Sequence, residues 1–154
     1  MRALSLSAGL LLWAAALHGQ ASSSQPAAAL HWGPAPAVFP AGAKMAVVRG
    51  DPGKADTFAI QLAMPDGYRI PPHFHPTDEG VAVKRGALLV GMGDTLDADK
   101  AKALLAGQEG NVPAGHHHFA LAKGATVVEV TAMGPFAMTY VNPQDDPQRK
   151  LARP

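Results

Sequence analysis

The chain has 154 residues, 47% of them hydrophobic, enough for one domain-sized core and too few for a second. Thirteen Lys and Arg stand against twelve Asp and Glu, a formal net charge of +1 with His neutral. No basic stripe is available to grip nucleic acid, so a small molecule is the expected partner, and the absence of Cys excludes disulfides, thiolate metal sites and a lipidated-cysteine anchor.

Met1-Arg2 is a short basic start, followed by an apolar run from Ala3 to Leu17 and by Gly19-Gln20-Ala21, which offers small residues to a signal peptidase. Residues 1–21 therefore read as a signal peptide, and the protein is expected to be exported, periplasmic or secreted. A run of this length falls short of the roughly 20 residues that a spanning helix needs, so no stable membrane insertion is expected. Residues 22–42 are rich in Ser, Ala and Pro, with Trp32 and Phe39 as the large aromatics, and read as an extended arm.

Short apolar runs then alternate with turn signals: Met45 to Val48, Phe58 to Met64, Val81 to Val83, Leu88 to Met92, His116 to Leu121, Thr126 to Met133 and Phe136 to Val141. Such spacing predicts an all-β sandwich or barrel over residues 43–143. Pro65-Asp66-Gly67, Pro113-Ala114-Gly115 and Lys123-Gly124 mark chain reversals. One segment departs from the pattern: Leu96 to Leu105 carries good helix formers, with Asp94 or Thr95 as a cap and Gly107 as a stop, and predicts one short helix between strands. Residues 144–154 form a polar tail expected to be loose.

Alternation assigns the faces. Val81 and Val83 share the parity of Glu79 while Lys84 takes the other face; Val128 and Val130 oppose Glu129 and Thr131; Phe58, Ile60 and Leu62 oppose Gln61. Glu79 is thus expected inside, beside apolar neighbours, where a carboxylate without a partner is costly. His73 and His75 lie two apart on an extended segment, so their imidazoles project to one side about 6.6 Å apart along the strand, and Pro76-Thr77-Asp78 can turn Glu79 back towards them. Further on, His116 and His118 share one face and His117 the other. Imidazole and carboxylate donors suit one divalent transition ion: Fe, Mn, Ni, Zn, Co or Cu. His117 and His31 read as surface residues.

The spacing of these residues resembles the two motifs of the cupin superfamily. Gly67, YRIPP, His73-Phe74-His75, PTD, Glu79, GVAVKR and Gly86 match the first motif at every fixed position. Gly107, QEGNV, Pro113-Ala114-Gly115, two residues and His118 match the second, which then departs at Ala122, where the pattern has Asn. The resemblance implies a cupin-type double-stranded β-helix, a jelly-roll barrel of six to eight strands, with His73, His75, Glu79 and His118 as metal ligands. Three imidazoles and one carboxylate leave a position open on the ion, which argues for chemistry or ligand capture. A metal-dependent enzyme acting on a small molecule is expected, by dioxygenase-type or Lewis-acid chemistry; the alternative is a non-catalytic module that binds or senses a small ligand. His116, Tyr140 and Arg69 are the further groups nominated for catalysis, and a homodimer is an open assembly.

Overall fold

The computed structural model describes residues 29–151; the expected leader lies outside them. Nine strands form one curled antiparallel sheet: β1 (Gly33–Pro34), β2 (Lys44–Arg49), β3 (Thr57–Met64), β4 (Arg69–Phe74), β5 (Glu79–Met92), β6 (Lys102–Leu105), β7 (Glu109–Val112), β8 (His118–Met133) and β9 (Thr139–Tyr140). β8 is the organising strand. One of its edges pairs with β3 through Thr126 to Met133 and with β4 through His118 to Leu121, while β5 runs along the other edge. β5 in turn carries β7 and β6 on its free side. Neighbouring halves of two long strands therefore serve both walls of the barrel.

β5 owes its bend and its close packing on β8 to two glycines. At Gly86 φ is +77° and a Cβ would stand 2.7 Å from the Ala125 carbonyl oxygen, so only glycine permits this approach. The β5–β8 register shifts on either side of Arg85. Farther along, a Cβ on Gly91 would overlap the ring of Phe119, which covers that position.

The predicted alternation is observed. Phe58, Ile60, Leu62, Val81, Val83, Val128 and Val130 are buried in one core, and Gln61, Glu129 and Lys84 form a polar chain on the opposite face. Each fully buried aliphatic or Phe side chain contributes about 1.5–3 kcal/mol to this core.

The segment from Leu96 to Leu105 corrects the helix expectation. Only Ala98–Lys100 forms a helical turn, a 3-10 turn capped by the Asp97 carboxylate, and Ala101 is already extended. Lys102 to Leu105 then pair with β5, which places Leu104 in the core. Helix propensity, worth tenths of a kcal/mol per residue, yields to a strand ladder and a buried leucine.

The arm is joined to the barrel: β1 pairs with β2, and Phe39 is buried. In the tail, Pro147–Leu151 forms a short helix, α1, preceded by Asp146, whose carboxylate accepts from the Gln148 N–H. No helix among the described residues is long and apolar enough to cross a membrane.

Candidate metal centre

β4 enters the site through Pro71-Pro72. Proline cannot donate to the ladder, and the β4–β8 register shifts between Ile70 and His73, so the strand resumes pairing with His73 directly opposite His118. His75 stands just past the end of β4, and Glu79 opens β5. His118 opens β8 after the Pro113-Ala114-Gly115 turn. That turn is tied to the first loop twice: the Gly115 N–H donates to the His75 carbonyl, and the Ala114 N–H donates to the Asp78 carboxylate.

His73, His75 and His118 are all buried, and each offers a ring nitrogen within 4.8 Å of the other two. The Nδ1 atoms lie against backbone carbonyls: His73 at 2.7 Å from Pro71 O, His75 at 2.7 Å from Ala137 O, and His118 at 3.0 Å from His116 O. A carbonyl only accepts, so each Nδ1 carries the hydrogen and donates it, leaving Nε2 as the atom that can take an ion or a further proton. Glu79 brings Oε2 to 3.1 Å from His118 Nε2 and 3.8 Å from His75 Nε2, with its side chain 13% exposed.

The electrostatics follow from this crowding. Burial, reinforced by the nearby charge of His118, lowers the His73 pKa to about 3, so the ring is neutral in ordinary buffers. For His118 burial also pulls downward, but the hydrogen bond and charge of Glu79 outweigh it and raise the pKa. Burial pushes the Glu79 carboxyl upward, yet the hydrogen bond to His118 and the three imidazoles hold it below its ordinary value. In the metal-free chain a proton between His118 and Glu79 thus reconciles two atoms that otherwise both accept. His75 Nε2 has no such relief: it is buried without a hydrogen-bond partner. An orphaned polar atom of this kind costs about 1–3 kcal/mol unless something fills its lone pair. Three imidazole nitrogens and a carboxylate oxygen fit a divalent transition ion.

The nominated catalytic groups stand outside the ligating cluster, Tyr140 nearest as the strand partner of His73 with ring centroids 6.1 Å apart. His116 is exposed, its Nδ1 beside the Ala114 carbonyl, because β8 begins only at His118 and strand parity does not extend back into the turn. Tyr140 is buried, but its hydroxyl donates to the Val38 carbonyl at 2.7 Å and does not line the cavity beside the histidines. Arg69 is exposed and borders an outer groove beside the arm. His117 pairs with Asp94 and stacks on Phe74, outside the cluster, and His31 is exposed.

Sequence reasoning missed Phe39 and Phe136, which line the cavity next to the histidines. Phe136 packs on His75 with ring centroids 5.5 Å apart, stacks on Phe39 at 5.7 Å and meets Phe58 edge-on. The available signal was weak, since the arm carries two large aromatics and only Phe39 is buried while Trp32 is exposed. The cavity measures ≈ 40 Å³ and is otherwise walled by aliphatic side chains, mostly of β3, β5 and β8 with Ile70, Val112 and Met138. Apart from Glu79, His73 and His118, no titratable group among the described residues lines it.

No protein-family model matches the chain, and no curated protein matches it in sequence. Solved structures do match it in fold. A putative acetylacetone dioxygenase from Methylibium petroleiphilum superposes with a TM-score of 0.60 at 19% identity, over 80% of this chain and 90% of that one. A polyketide cyclase from Streptomyces resistomycificus gives a TM-score of 0.56 at 19% identity, over 73% and 80%. An RmlC-like cupin from Shewanella frigidimarina gives 0.51 at 21%, over 60% and 76%. Together with the β4–β5–β8 arrangement that carries both motifs, these likenesses identify the fold of this chain as the cupin barrel.

Proposed function

We propose that the protein binds one divalent transition-metal ion through His73, His75, Glu79 and His118 and is a metal-dependent enzyme acting on a small molecule. The observation that carries this reading is the convergence of three imidazoles, each fixed through Nδ1 to a backbone carbonyl, with His75 Nε2 buried and unpartnered among them. Such carbonyl contacts fix tautomer and ring direction before any ion arrives, as the outer partners of metal-binding histidines do. When bound, an ion supplies Lewis acidity, or oxygen chemistry if it is redox-active.

The chain's own residues orient and exclude. The aliphatic wall lowers the local dielectric around the ligating atoms, which strengthens every electrostatic interaction there. Without an ion, Glu79 Oε2 and His118 Nε2 are placed to share a proton, which an arriving ion would displace. A substrate entering this cavity therefore finds its polar recognition concentrated at one end.

Metal analysis of protein purified without a histidine tag, followed by an oxygen-consumption screen over small substrates, tests the reading. About one equivalent of ion and turnover that chelation abolishes are expected; no ion at any pH would sink it. The absence of a further acid or base from the cavity wall favours a second reading, capture of a small ligand without turnover. Stoichiometric ligand binding with no product formed selects it. We further propose that residues 1–21 are removed on export, leaving Ser22 as the first residue; an exported protein whose intact mass still includes them would contradict this.

A further inference from the structure

Two spaces meet at Phe39. One is the ≈ 40 Å³ cavity at the histidines, and the other is an outer groove of ≈ 640 Å³ between the arm and β4, bordered by Pro34, Ala35, Gly42 and Arg69. Phe39 is the residue that lines both. The residue is 6% exposed, and its ring stacks on Phe136 with the planes 15° apart. The peptide on either side is clamped: the Tyr68 hydroxyl donates to the Pro40 carbonyl, and the Tyr140 hydroxyl donates to the Val38 carbonyl. The Phe39 N–H donates to Pro36 O at 2.9 Å and closes a turn that presents the ring inward. The ring is thus a partition held from three sides, and both tyrosine hydroxyls near the cavity are spent on holding it.

We propose that Phe39 is the specificity-determining residue of the cavity, limiting it to a short ligand with one metal-ligating head and an otherwise apolar body. This rests on the metal reading above for the head, and on the cavity itself for size and polarity. A water needs about 10–15 Å³ of such space, so ≈ 40 Å³ holds about three waters, or a ligand of similarly few heavy atoms. Beyond the ligating cluster the wall offers no donor or acceptor side chain to a second polar group. Without the Phe39 ring the cavity would open into the groove, and longer apolar ligands would fit.

Two measurements on the full chain separate this proposal from the metal reading. The first is thermal melting with and without benzene, which needs no ion. Benzene should leave the melting temperature of the wild type unchanged and raise that of Phe39→Ala, because apolar cavities of sufficient size take up benzene. If Phe39→Ala does not fold, the double variant Tyr68→Phe/Tyr140→Phe, which keeps the ring and frees its peptide, should show the rise instead. A rise in the wild type equal to that in the variant, or none in any variant, overturns the proposal. The second measurement follows the visible absorption of cobalt(II)-loaded protein during titration with acetate and with hexanoate. Wild type should favour acetate, and Phe39→Ala should improve hexanoate binding relative to acetate by roughly tenfold or more, on the scale of filling or emptying methylene-sized space in a pocket. Hexanoate reaching wild-type cobalt as readily as acetate overturns the role of Phe39. A chain that takes up no cobalt overturns the metal reading, and the benzene comparison then decides the role of Phe39 alone.

Discussion

Two neighbouring groups of side chains around the barrel cavity use the same bond for opposite purposes. At the histidines, carbonyls of Pro71, Ala137 and His116 accept from Nδ1 and leave the other ring nitrogens facing one another. Along the arm, carbonyls of Val38 and Pro40 accept from tyrosine hydroxyls and leave those tyrosines with nothing further to donate. An imidazole has a second nitrogen and a phenol has no second donor, so the first arrangement prepares a site while the second fastens a wall. A polar residue close to a cavity is therefore judged by where its atoms are already committed.

The largest effect that would break this contrast is at the histidines. His118→Ala should abolish stoichiometric metal binding, measured by elemental analysis after dialysis against a known free ion concentration; retained binding would remove the residue from the ligand set. Next comes the ring that touches both His75 and Phe39. Phe136→Ala should destabilise the fold by about 3 kcal/mol, the low end for truncating a buried Phe because this ring is only partly buried, and should weaken metal binding through His75. Denaturant melts with and without ion separate the two losses.

Chelation of the wild type should cost about 2.7 kcal/mol relative to protein in ion at ~100 times its dissociation constant, seen as a lower melting temperature. An unchanged melting curve after verified metal removal would count against the ligand role.

Smaller still is the effect of Tyr68. Burial raises its pKa from 10.0 to about 12, so above pH 10 the unfolded chain releases a proton that the folded chain keeps. The folded state then binds more protons, and stability falls as pH rises from 10 towards 12. Tyr68→Phe should lose about 0.5–1.5 kcal/mol at neutral pH with its hydrogen bond and should flatten this alkaline slope. A slope identical to wild type would mean that another group carries it.

The smallest effects are expected beside His118. His117→Ala removes a partly exposed pair with Asp94 worth about 0–1 kcal/mol and should leave metal content unchanged. His116→Ala should do likewise, since the atom that steadies His118 is the His116 backbone carbonyl, which the substitution keeps. Loss of metal in either variant would show that the turn itself holds the site together.

The clustered residues were legible because both motifs fix local spacing and the strands on which they sit obey parity: Glu79, Val81 and Val83 were expected on one face, and His73 and His75 on one side. Parity failed where its premise failed, at His116, which precedes the strand. It was also silent about Tyr140. Its hydroxyl is held by Val38, 102 residues away in the sequence, and no local pattern announces a bond of that range. Leu96 to Leu105 misled for a related reason: its helix formers are a local preference, and the competing ladder with β5 is a long-range one. Phe39 was noted as an aromatic in the arm, but the arm's docking through β1 and two tyrosines is tertiary information.

The central position of β8 has a consequence for the order in which the molecule is made. His73, His75 and Glu79 lie on or beside β4 and the start of β5, whereas His118 belongs to a strand whose partners, β3, β4 and β5, all precede it in the chain. Antiparallel pairings of such long sequence separation close slowly, on the millisecond-to-second scale common to all-β barrels. A chain caught before β8 docks would present two imidazoles and a carboxylate on mobile backbone. Tight ion capture would have to wait until the last long strand seats, so the kinetics of metal uptake during refolding would act as a clock for that docking step.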